Sequence, residues 1–203
     1  MEFLIPLAIL VFSAMLHEVM HGVVADRLGD PTPRLIGRLT LNPIPHLDPI
    51  MSVLLPALLV FSGSPIIFGA AKPVPVNPLH FRDPKKDMAL TALAGPLTNV
   101  FLALLSAQII KFLPLDPLIY SFLYLVVLYN LMLAIINLIP IPPLDGSKVL
   151  AAILPDDLAR SYLSIQQFGI FILFFLLLFP IGGFSLGSAI NNLILYSVHL
   201  LGI

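Results

Sequence analysis

Two histidines four residues apart, His17 and His21, stand inside the first apolar stretch of the chain. Glu18 lies beside the first, in the string His17-Glu18-Val19-Met20-His21. On a helix, residues i and i+4 share a face, so both imidazoles can reach one metal ion. Zinc suits two histidines and a carboxylate, with a further position left for water. Glu18 lies next to that face, where it can take a proton from such a water. A short string of this kind recurs by chance, and its setting is what makes it informative. Ionisable side chains inside a membrane-spanning helix are costly and mark function. The competing reading is a buried polar patch that bonds to a neighbouring helix.

A metal needs a third protein ligand, and Asp145 is the best candidate. It follows the run Asn137-Leu138-Ile139-Pro140-Ile141-Pro142-Pro143-Leu144 and precedes Gly146. The prolines break the preceding apolar helix, and the extended backbone beyond them can carry Asp145 back against the first helix. Gly146 allows a tight turn or a close approach there. The plainer alternative is a helix-ending turn with a solvated aspartate.

The elements that must position these residues belong to a membrane protein. Of 203 residues, 59% are hydrophobic and 10% charged, against about 25% charged in a soluble domain. Mean hydropathy is +1.03. A net charge of -1 gives no footprint for nucleic acid, and the absence of cysteine excludes disulfides and thiolate chemistry. Apolar runs cover 3–25, 50–71, 88–112, 118–139, 163–179 and 184–203. The first lacks the basic start and cleavage site of a signal peptide and reads as a retained span. The second is broken by Pro56 and by Ser62-Gly63-Ser64-Pro65. The expectation is an all-α polytopic membrane protein, one domain over 1–203. It has five transmembrane helices plus one re-entrant or short membrane segment at 50–71, and small extended segments near the active site.

With these motifs the sequence resembles the site-2 protease family of intramembrane zinc metalloproteases, of a compact prokaryotic type without PDZ or CBS modules. His17-Glu18-Val19-Met20-His21 and the later Asn137, Pro140, Asp145 and Gly146 carry the match. Ala94-Gly95-Pro96-Leu97-Thr98-Asn99 is a third, weaker element. The resemblance implies that His17, His21 and Asp145 hold one zinc ion per chain and that Glu18 is the general base. Asn137 would bind the substrate backbone or the oxyanion. Asn99 could also bind substrate, or only bridge helices. His46 and Asp48 could orient a ligand imidazole from behind, or be ordinary loop residues.

The implied function is hydrolysis of peptide bonds within or next to transmembrane segments of membrane proteins. The partners are then a membrane-protein substrate and the lipid bilayer, with no nucleic acid. A divalent metal transporter and a catalytically inactive membrane scaffold are the alternatives. An extended substrate could add to a strand edge of the enzyme, and 34–41 and 71–77 are candidate edges.

The metal also constrains topology. His21 lies near the C-terminal end of the first run, and Asp145 just beyond the C-terminal end of 118–139. Both ends must face one side, so an odd number of the intervening runs must fail to cross, and 50–71 is the natural one. One side then collects Arg27, Arg34, Arg38, Lys72, Arg82, Lys85, Lys86, Lys148 and Arg160, leaving Lys111 on the other. The positive-inside rule makes the first side cytoplasmic. The expected localisation is the cell membrane, multi-pass, with the active site toward the cytoplasm.

Overall fold

The computed structural model describes residues 4–49, 54, 58 and 71–203. Its helices are α1 (Leu4–Leu28), α2 (Thr32–Leu35), α3 (Pro84–Phe112), α4 (Pro117–Asn137), α5 (Asp145–Ile153), α6 (Asp156–Leu163), α7 (Gln166–Leu178) and α8 (Leu186–Leu201). Short 3-10 turns occupy Ile44–His46 and Pro78–His80.

Local sequence explains where the long helices start. Asp83-Pro84 and Asp116-Pro117 open α3 and α4 in the same way. Each aspartate caps a free amide, Asp83 that of Lys86 (3.2 Å) and Asp116 that of Leu118 (2.8 Å). Each proline occupies the first helical position, where its missing N–H costs nothing.

Helices α1, α3 and α4 form the core. Their contacts use small residues on α3, with Ala92, Ala103 and Ala107 almost wholly buried, which lets backbones approach closely. Ala103, Ala107, Val127, Leu131 and Val198 make the apolar cluster where α8 joins α3 and α4. The polar side chains His17, Asn99, Asn130 and Asp145 are buried, while Phe101, Phe112, Phe122 and Phe171 are exposed. Polar groups inside and large apolar groups outside is the distribution a lipid surrounding demands.

His21 contacts Thr91, and His17, further back along α1, contacts Asn99, further on along α3. The two helices are therefore antiparallel. The end of α1 and the start of α3 lie at the same end of the bundle, and the end of α4 joins them through Asp145. This is the arrangement expected from the ligand spacing. Segment 50–71, apart from residues 54, 58 and 71, lies outside the described residues.

Among the described residues three helices, α1, α3 and α4, are long and apolar enough to cross a membrane, or up to four if α6 and α7 count as one broken span, against the five expected. Those two meet at a 66° bend. The expected run 163–179 thus begins at the end of a charged helix carrying Asp156, Asp157 and Arg160. Helix α8 has 16 residues, about 24 Å, against a hydrocarbon core of about 30 Å.

The expected extended segments also need correction. Among the described residues no strand ladder forms, apart from a single bridge between Ile181 and Phe184. Residues 34–41 enter helix α2 and then a turn at Gly37, whose φ of 71° suits glycine. Residues 71–77 have no regular secondary structure and pair with no strand. They are tied down instead at Lys72 N–H to the His46 carbonyl (2.8 Å), Val74 N–H to Glu18 (2.8 Å) and Asn77 N–H to Asp30 (2.7 Å). Pro73 and Pro75 have no N–H, so the segment's opposite edge offers carbonyls but no donors there.

Candidate metal centre

The Nε2 atoms of His17 and His21 each lie 3.1 Å from one oxygen, Oδ2 of Asp145. The imidazole planes are nearly perpendicular, at 89° with centroids 4.6 Å apart. All three side chains are buried. One candidate ligand atom each from His17, Glu18 and His21 lies within 4.8 Å of the others. Two ligands at zinc distance in a tetrahedron would be about 3.3 Å apart.

The chemistry of the donor set fits a cation. His21 Nδ1–H donates to the Thr91 carbonyl (2.7 Å), and His17 Nδ1–H donates to Asn99 Oδ1 (2.5 Å). With the protons on Nδ1, both Nε2 atoms present lone pairs, and they face a carboxylate oxygen. Three lone-pair bearers aimed at one point repel unless a positive charge lies among them. The other carboxylate oxygen, Oδ1, accepts from Lys148 Nζ at 3.0 Å, so Asp145 has only Oδ2 to offer.

His17 and Asp145 are each placed by a close approach. Gly95 lies one helical turn before Asn99 on the α3 face that meets α1. A Cβ on Gly95 would stand 2.5 Å from His17 Nε2, so the ring packs directly on the glycine. Gly146 is seated against the end of α4, where a Cβ would come within 2.2 Å of the Leu138 carbonyl oxygen. That seat brings the first turn of α5, and Asp145 with it, back to α1. The element Ala94 to Asn99 thus has a physical basis: its glycine admits the imidazole and its asparagine accepts the imidazole's proton.

The remaining expected site residues lie as follows. Glu18 is half-buried, and its Oε2 accepts the Val74 amide. Asn99 is fully buried with both ends of its amide engaged by protein groups. Asn137, the last residue of α4, is half-buried and donates to the Leu133 carbonyl one turn back (2.9 Å). His46 is buried and bonds the Thr40 carbonyl (3.1 Å), so it fastens its own loop. Asp48 is half-buried two residues further on.

Sequence reading passed over Asn130, Ser13, Lys148 and Val74. Asn130 carried a usable signal, an amide in the middle of the apolar helix α4. Val74 carried none, because its contribution is a backbone N–H.

A second polar cluster holds the far end of the 71–77 segment. Asp30 is wholly buried and accepts from Thr32 N–H (3.1 Å), Thr32 Oγ1 (2.5 Å), Asn77 N–H (2.7 Å) and His80 Nδ1 (2.7 Å). Burial alone would push its carboxyl up. The bonds from His80, Thr32 and Asn77 outweigh that and hold it below the usual carboxylate range. The stability it contributes is therefore complete above the unfolded carboxylate pKa of about 3.9 and lost as pH falls through the lower folded value.

A helical membrane bundle with a buried two-histidine, one-carboxylate centre and an adjacent glutamate defines a class, the membrane metallopeptidases, and sequence comparison agrees. Residues 114–180 match the model of peptidase family M50. YwhC of Bacillus subtilis, by its name a candidate zinc metalloprotease, is 31% identical over 191 residues, covering 90% of this chain and 84% of that protein. Rip2 of Mycobacterium tuberculosis, named in the same way, is 33% identical over 83% of this chain, which spans 64% of its length. No solved structure is matched. The chain belongs to the site-2 protease family, peptidase family M50.

Proposed function

We propose that this protein is an intramembrane zinc metalloprotease that hydrolyses peptide bonds within or next to transmembrane segments of other membrane proteins. The observation that carries the reading is the convergence of His17, His21 and Asp145 beside Glu18, at one end of three apolar helices.

His17, His21 and Asp145 hold one zinc ion per chain. When bound, zinc supplies a Lewis acid for the scissile carbonyl and makes water nucleophilic near neutral pH. Glu18 takes the proton of the attacking water and returns it to the leaving amine. The Val74 N–H holds one oxygen of that carboxylate in place. Asn137 binds the substrate backbone or the developing oxyanion once it turns away from its own helix. The substrate reaches the site unwound, since a helical carbonyl is already bonded. The carbonyls of Pro73 and Pro75 offer it acceptors along the free edge of the 71–77 segment.

Purified protein and a membrane-anchored substrate test the reading. Wild type should hold about one zinc per chain and cleave. His17→Ala should lose both metal and cleavage. Unchanged zinc content in His17→Ala would strike that histidine from the ligand set. Zinc retention with vectorial metal uptake, and no cleavage of any anchored substrate, would favour a transporter.

The site faces the cytoplasm on this reading, because nine of the ten basic residues lie at its end of the bundle under the positive-inside rule. The chain has no native cysteine, so single-cysteine labelling is clean. Leu79→Cys should react only from the cytoplasmic side and Leu113→Cys only from the other. Labelling of both from one side would overturn the topology.

A further inference from the structure

The proton on His17 Nδ1 depends on which way round the Asn99 amide stands. An amide has a donor end and an acceptor end, and Asn99 in isolation could present either. If Nδ2 faced the imidazole, the stable tautomer would carry its proton on Nε2, where the metal must bind. Asn99 Nδ2 donates to Asn130 Oδ1 at 2.8 Å and reaches the Ser13 carbonyl only at 3.5 Å, so the shorter bond to Asn130 is the one that chiefly turns Oδ1 toward His17. Asn130 could itself be reversed, but its Nδ2 lies 2.9 Å from the Val126 carbonyl and 3.0 Å from Ser13 Oγ. A backbone carbonyl can only accept. Its polarity therefore fixes Asn130, Asn130 fixes Asn99, and Asn99 fixes the tautomer of His17. Both asparagines are fully buried, so no bulk water competes for these bonds. His21 needs no such chain, because it meets the carbonyl of Thr91 directly.

We infer that Asn130 is a positioning residue for the metal centre. It acts through Asn99 to keep His17 in the tautomer that leaves Nε2 free, from a place in α4 that touches neither metal nor substrate. The inference rests on the proposal that His17 is a zinc ligand.

Zinc affinity, measured by chelator competition on the purified full chain, separates this from a packing role. Groups that orient a ligand histidine are worth about 10–100-fold in metal affinity. Asn130→Leu should weaken zinc about 10-fold, and Asn99→Leu at least as much. The double variant should be no weaker than Asn99→Leu alone, because both act through one bond. Asn130→Asp keeps an acceptor toward Asn99 and should recover most of the affinity. Val127→Ala, a core truncation next door, should lower the unfolding temperature and leave zinc affinity unchanged.

Wild-type affinity in Asn130→Leu overturns the inference, as do multiplicative losses in the double variant. If Asn130→Leu does not fold, Asn130→Asp decides: affinity as weak as in Asn99→Leu overturns it. Should His17→Ala itself leave zinc binding intact, the fault lies in the ligand set and not in Asn130.

Discussion

Glu18→Gln should leave zinc content unchanged and reduce cleavage of a membrane-anchored substrate by about 10²–10⁴-fold, the worth of a well-placed general base. The substitution keeps size and shape and removes only the ability to accept a proton. Glutamine can still accept the Val74 N–H through its amide oxygen, so the 71–77 segment keeps its fastening. The proposed ligands His17, His21 and Asp145 are untouched. Loss should therefore fall on kcat, with KM nearly constant. Zinc analysis and single-turnover cleavage of the same preparation check it. Cleavage equal to wild type would remove Glu18 from the mechanism, and loss of zinc would make it a ligand instead of a base.

Gly95→Ala should be almost as severe, although position 95 carries no functional group. The added methyl would sit 2.5–2.6 Å from Nε2, Cδ2 and Cε1 of the His17 ring. That separation is far inside van der Waals contact. Either α1 and α3 separate or the imidazole rotates, and both movements take Nε2 away from Asp145 Oδ2 and strain the bond to Asn99. Zinc affinity should fall by at least about 10–100-fold, and cleavage with it. Helix propensity makes the opposite prediction, since alanine stabilises a helix interior by about 1 kcal/mol over glycine. The two effects therefore have different readouts. Secondary structure should survive while metal binding is lost. A Gly95→Ala protein with wild-type zinc affinity would show that the ring is free to move aside.

The pairing of His17 and His21 was readable because it is a local property. His17 and His21 share a face by helical spacing alone, and an apolar run of this length makes a helix certain enough to use. The return of Asp145 to the two histidines was reachable by chemistry, since a metal there would need a third ligand and the proline-broken segment ahead of it can turn back. The same reasoning required the ends of two distant helices to meet, and α1 and α4 do end together. The apolar runs were good guides to α1, α3 and α4, which are long and predominantly apolar.

They were poor guides to the C-terminal part. Hydropathy counts residues without seeing that α6 and α7 bend by 66°, or that α8 stops at 16 residues. The expected edges 34–41 and 71–77 form no strand: 34–41 closes α2 and turns at Gly37, and 71–77 is fastened elsewhere. Strand pairing is a contract between two backbones, and here the partners are a glutamate, an aspartate and a loop carbonyl.

Orientation of the site belongs to tertiary structure for the same physical cause. Which proton His17 carries, which oxygen Asp145 offers and what holds Glu18 still are set by groups from α3, α4, α5 and the 71–77 segment. Apart from Lys148 to Asp145, three positions apart, these contacts join residues 31 to 128 positions apart or run through featureless backbone. Residue type declares what a side chain can donate or accept; only the packed helices decide to whom.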